Sequence, residues 1–191
     1  MHTSIENFRK NLEVLVVSQL VVIQEFLPLL GARKDCPYKP GRIINITSIN
    51  GKIAAPFMGG YVASKHAFEG LSNTLRIELQ MYGIDVIIVG PGVVKTAIWG
   101  KQTDDIAEKY RNTEYYLPCI AFNNFLKKSL PKTGLELDKF SERLLKIFEL
   151  KHPRTRYAIV RKKFMNWTLP RIIPTRLADK FFAKLIGFKK G

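Results

Sequence analysis

The chain has 191 residues and a formal net charge of +15, from 31 Lys and Arg against 16 Asp and Glu. That length allows one domain with a sizeable core, and 46% hydrophobic content suits a globular protein. Two cysteines, Cys36 and Cys119, exclude a disulfide framework and a metal-ligand cluster, so no metal site is expected and a reducing, cytoplasmic setting is the simplest.

Met1 to Glu6 lacks a basic n-region and an apolar h-region, so no signal peptide is expected there. Residues 5–30 carry one long helical pattern. Its apolar run from Val14 to Leu30 is interrupted by Ser18, Gln19, Gln24 and Glu25, which predicts a buried amphipathic helix in preference to a membrane span. Residues 34–41 hold two prolines and read as a loop, and the apolar run 42–47 as a buried strand. After a loop containing Gly51, Pro56 and Gly59-Gly60, a helix is predicted over 61–82. Phe68, Leu71, Leu75 and Leu79 form its inner stripe and Gly83 its stop. Residues 85–89 are a second buried strand. Helix then strand, twice over, predicts parallel strands in an α/β sheet.

Residues 97–135 show no regular period but many aromatics, among them Trp99, Tyr110, Tyr115, Tyr116, Phe122 and Phe125. They read either as satellite core or as a lid over an apolar substrate. A helix over 137–150 and a last strand over 156–160 follow.

One constellation carries chemistry. Tyr61 and Lys65 stand four apart and share a helix face. A lysine ammonium near a phenol favours its ionised form, and such a phenol can exchange a proton with a substrate oxygen. Ser48 ends the first strand, where functional residues of open α/β sheets collect.

With these residues the sequence resembles the short-chain dehydrogenase/reductase family. The matching residues are Ile46-Thr47-Ser48-Ile49-Asn50-Gly51, then Tyr61-Val62-Ala63-Ser64-Lys65, then Gly90-Pro91-Gly92-Val93-Val94-Lys95-Thr96, with Phe26-Leu27-Pro28-Leu29-Leu30 upstream. The resemblance implies a Rossmann-like doubly wound parallel sheet and hydride transfer between NAD or NADP and an alcohol or ketone. Ser48 would orient the substrate oxygen and Tyr61 act as acid and base. Lys65 would hold the ribose hydroxyls, Tyr61 would also contact the cofactor, Pro91, Gly92 and Val94 would face the nicotinamide, and Thr96 would lie near its carboxamide or the phosphates. Pro153-Arg154-Thr155-Arg156-Tyr157 and Leu169-Pro170 look like the branch acting on retinoids, steroids and hydroxy acids.

Two departures accompany the resemblance. No Gly-x-x-x-Gly-x-Gly turn, the pyrophosphate site of this fold, occurs in the 191 residues. The expectation is therefore an N-terminally truncated chain. Residues 1–150 would be the catalytic half of the dinucleotide-binding domain, and 151–191 its last strand plus a basic extension, with the cofactor site incomplete. Leu15 stands where many members carry an active-site asparagine. A non-catalytic remnant serving as an interaction or membrane-surface-binding protein is the alternative, and homo-oligomerisation is left open.

Charge is concentrated at the end. From Lys151 onward there are twelve Lys and Arg and one acid, Asp179, interleaved with Phe164, Trp167, Phe181 and other large apolar residues. This suits an anionic membrane surface, or a segment packed on the core. Nucleic acid ranks last, since no recognised motif supports it.

Overall fold

The computed structural model describes residues 3–97 and 108–188, which form two compact units. The first joins Thr3–Pro91 to Leu144–Ile159; the second joins Gly92–Arg143 to the stretch from Val160 onward.

In the first unit, α1 (Ile5–Leu12) opens under Ser4, whose Oγ accepts the Asn7 N–H at 3.2 Å. Such a cap satisfies one of the orphan donors of a helix start. The helix passes through a π segment, Glu13–Val17, into α2 (Ser18–Phe26). Regular helix stops short of the predicted end, because the apolar pattern runs on through turns over 27–31, where the Ala32 N–H returns to Leu27 O at 3.0 Å. The expected burial holds on one face only. Ile23 is buried, whereas Val14, Val17, Val21, Val22 and Phe26 are exposed.

Strands β1 (Arg42–Ile46), β2 (Asp85–Pro91) and β3 (Arg156–Ile159) form a parallel sheet in the order β1-β2-β3, as the alternation of helix and strand predicts. Central β2 is buried from Val86 to Gly90, the near-continuous apolar run of a parallel strand covered on both faces. Between β1 and β2 lies α3 (Gly59–Glu78), extended by a tight turn at Leu79–Tyr82. Gly83 ends it at φ 69°, a left-handed conformation that costs glycine little. Phe68, Leu75 and Leu79 meet Ile43, Ile84, Val86 and Ile23 in one core, with Leu71 packed against it. Arg42 fastens the start of the sheet. Its guanidinium donates to Asp85 Oδ2 at 3.1 Å and to the carbonyls of Phe148 and Leu150 at 2.6 and 2.9 Å.

In the second unit, residues 93–95 run beside Leu135. The Leu135 N–H reaches Val93 O and the Lys95 N–H reaches Leu135 O, both at 2.9 Å. The stretch predicted to be irregular contains α4 (Tyr116–Thr133), a helix of 18 residues. Its period is masked in the sequence by Pro118 and Pro131. Pro118 stands in the first turn, where a missing N–H breaks no helical bond. Tyr110 and Phe122 are buried in this unit, as satellite core would be, while Tyr115 and Phe125 are exposed; Trp99 lies outside the described residues.

α5 (Leu137–Glu149) matches its prediction. The C-terminal stretch is helical too, with a π segment at Phe164–Thr168, then α6 (Leu169–Ile172) and α7 (Thr175–Ile186). Trp167 is only 7% exposed and lies under the Arg171 guanidinium, 4.3 Å from its ring centroid. It is therefore committed to packing and is not available to enter lipid. Phe164 and Phe181 are exposed.

Candidate active site

Three of the residues singled out by sequence converge on the carboxyl end of β1. Beyond Ile46, the Thr47 N–H continues the ladder to Val89 O at 2.8 Å, and Ser48 follows in extended conformation. Ser48 Oγ accepts the Asn50 N–H at 3.1 Å and so caps the short helical turn Ile49–Gly51. A hydroxyl that accepts one bond keeps its own proton for donation. Ser48 is buried, and its backbone lies against Gly90, where a Cβ would come within 3.1 Å of Ser48 O. A side chain here would also crowd Arg156 Nη2, at 2.7 Å from that Cβ. Pro91, next along, closes the same end of the sheet.

Tyr61 is the third residue of α3, so the helix starts just ahead of the predicted position. The Lys65 ammonium sits 5.9 Å from the Tyr61 ring centroid and donates to Ile46 O at 3.3 Å. One lysine thus joins the tyrosine helix to the strand end that carries Ser48. Burial disfavours the ammonium and lowers the Lys65 pKa from its ordinary 10.5. Two donors remain on its nitrogen after the bond to Ile46, enough for a vicinal diol.

Behind these groups stands a buried polar network that the sequence reading missed. Glu69 shares the row of Tyr61 and Lys65 on α3, two turns on from the tyrosine, and is 0% exposed. Its carboxylate accepts from the Thr47 hydroxyl at 2.9 Å and from Arg156 Nη2 and Nε at 2.6 and 3.0 Å, with Lys52 at 3.5 Å. Arg156 Nη2 also approaches Ser48 O at 3.5 Å. Burial raises the Glu69 pKa, and the Arg156, Thr47 and Lys52 contacts more than offset it, leaving the carboxyl below its ordinary 4.5. Nearby, Asn45 Nδ2 donates to Ser72 Oγ at 2.9 Å. The available signal was an acid in the row of Tyr61 and Lys65, directly beside Phe68 of the inner stripe.

The other predicted cofactor contacts, Gly92, Val94 and Thr96, belong to the second unit. Val94 pairs with Leu135, Lys95 forms an ion pair with Glu136, and Thr96 is exposed. Leu15 lies inside the π segment and is half-buried. Such segments frequently mark functional sites, but a leucine side chain brings no hydrogen bond.

The family profile described as short chain dehydrogenase matches residues 1–107. The NADPH-dependent 3-dehydrocapnine reductase of Ornithobacterium rhinotracheale is 34% identical over 183 residues, 96% of this chain and 64% of that protein. The Homo sapiens 17-beta-hydroxysteroid dehydrogenase type 6 is 30% identical over 186 residues, 91% of this chain and 56% of that protein. Among solved structures, a short-chain dehydrogenase from Streptomyces avermitilis superposes with a TM-score of 0.64 at 21% identity. It covers 98% of this chain and 65% of its own, a likeness of fold. The chain therefore spans less than two thirds of the length of these relatives.

Proposed function

This chain belongs to the short-chain dehydrogenase/reductase family, and we propose that the whole protein transfers a hydride between NAD or NADP and an apolar alcohol or ketone. The observation that carries this is the Lys65 ammonium, held 5.9 Å from the Tyr61 ring by its bond to Ile46 O, two residues before Ser48. Ser48 donates to the substrate oxygen. In oxidation Tyr61 takes the hydroxyl proton as the carbinol hydrogen leaves with its electron pair; in reduction the phenol returns a proton to the carbonyl oxygen. The nicotinamide supplies the hydride acceptor or donor. Lys65 would hold the ribose hydroxyls, Pro91, Gly92 and Val94 would face the nicotinamide, and Thr96 would meet its carboxamide or the phosphates. A steroid, retinoid or hydroxy acid is the substrate class we favour, supported by the hydroxysteroid dehydrogenase among the relatives. The test is NAD(P)H turnover by the whole protein against a panel of such alcohols and ketones; absence of turnover with every member would sink the reading.

Two results are expected around this site. The 191 residues contain no glycine-rich pyrophosphate turn. Calorimetry of this chain alone with NADPH or NADH should therefore give no saturable isotherm at millimolar cofactor, and a micromolar isotherm would show that other groups replace the turn. The second concerns pH. Because the Lys65 pKa is lowered, its ammonium disappears at a lower pH than that of an exposed lysine. The rate of oxidation should then fall on the alkaline side below the ordinary lysine value. Lys65→Met should remove that limb and lower kcat/KM, since no ammonium is left to lose its proton. An unchanged profile would take Lys65 out of the proton transfer.

A further inference from the structure

We infer that the outer face of α7 docks the protein on an anionic lipid bilayer. Arg176, Lys180 and Lys184 follow one another at intervals of four and form one exposed row along the helix. Leu177 and Phe181 form the adjacent row and are 55% and 62% exposed. The opposite side is committed to packing, with Ile186 buried and Phe182 and Leu185 half-buried. The Phe181 ring meets Phe182 edge-on at 5.9 Å, so it is held at the helix edge. Single exposed apolar residues need no explanation, but two beside a row of cations reproduce the division of an interfacial helix. The apolar pair enters the boundary between headgroups and acyl chains, while the lysine stems lie along it with their ammonium groups at the lipid phosphates.

Charge complementarity selects the occupant. On α7 itself Arg176, Lys180 and Lys184 stand against the single acid Asp179, so the surface must be anionic. A duplex nucleic acid would engage the cations and leave Leu177 and Phe181 in water, which favours the bilayer. No helix among the described residues is long and apolar enough to cross a membrane. At 12 residues α7 is about 18 Å long and lies along the surface. This docking is independent of the hydride-transfer reading and is tested without any enzyme assay.

The experiment is flotation of the full chain with vesicles of phosphatidylcholine and phosphatidylserine, with phosphatidylcholine alone as reference. Point variants are used because ending the chain at Leu150 would remove β3 and Arg156. The native chain is expected to float with the anionic vesicles alone, and less as salt is raised. Lys180→Gln with Lys184→Gln should lower the partition coefficient roughly twenty-five-fold, about fivefold per charge. Leu177→Ser with Phe181→Ser should lower it about tenfold or more. Lys180→Arg with Lys184→Arg keeps the charge and should float like the native chain, and circular dichroism identifies any variant that has lost its helices. Equal flotation on neutral vesicles, or indifference to the apolar pair in folded protein, overturns the proposal. So does full displacement from the vesicles by duplex DNA with no effect of Phe181, which would assign the face to nucleic acid.

Discussion

Tyr61→Phe is expected to reduce kcat of the whole protein by about a thousandfold, the usual scale of a lost general acid–base group. Phenylalanine keeps the ring that packs beside Lys65 and removes only the oxygen and its proton. The neighbouring bond from Ser64 Oγ to Tyr61 O, at 2.8 Å, belongs to the backbone of residue 61 and survives the change. Stability and cofactor affinity should therefore stay near native values while turnover disappears. A variant that loses kcat with an unaltered melting temperature and an unaltered cofactor Kd places the effect in the chemical step. Native turnover by Tyr61→Phe would remove the tyrosine from the reaction and leave Ser48 and Lys65 without a proton carrier.

The second large effect is on folding. Glu69 is fully buried and Arg156 half-buried, with a side chain 19% exposed. Removing one partner of a buried ion pair leaves the other uncompensated, at a cost of about 3–5 kcal/mol. Glu69→Ala and Arg156→Ala are each expected to lose on this order in denaturant titrations. The double variant Glu69→Leu with Arg156→Leu should lose distinctly less than their sum, because it strands no charge. The pH dependence follows from the lowered Glu69 pKa. The folded carboxyl holds its proton more weakly than the unfolded one, so its contribution is complete above the unfolded value of 4.5 and is lost as pH falls through the folded one. Glu69→Gln should flatten the acid side of the stability curve. Single variants within about half a kcal/mol of native would show that the network contributes little.

The sheet and α3 were legible because their signals are local. β1 and β2 are short apolar runs, α3 carries a stripe at helical spacing, and Ser48, Tyr61 and Lys65 fall where a strand ends and a helix begins. α4 was hidden because Leu117, Ile120 and Phe125 spread apolar residues beyond the stripe of Cys119, Phe122 and Leu126, and prolines stand near both its ends. The Glu69–Arg156 contact left no local trace at all, since its partners lie on separate elements. Only the inward position of Glu69 on α3, in the row of Tyr61 and Lys65, marked it as a residue in need of a partner. The C-terminal stretch was half legible. Its charge is plain in the composition, whereas the division between buried Trp167 and exposed Phe181 depends on how Arg171 and Ile186 pack.

Glu69 and Arg156 are separated by 87 positions, and Arg156 and Ser48 by 108. On a ribosome adding about 5–20 residues each second, the serine, tyrosine and lysine are made several seconds before the arginine that neutralises the carboxylate behind them. Until β3 arrives, α3 cannot settle on β1 without burying a charge that lacks its guanidinium. Until then α3 and the two strands β1 and β2 stand without the third strand that completes their parallel sheet. The arginine closes a loop of 108 positions back to Ser48, so β3 acts as the latch of the first unit's assembly.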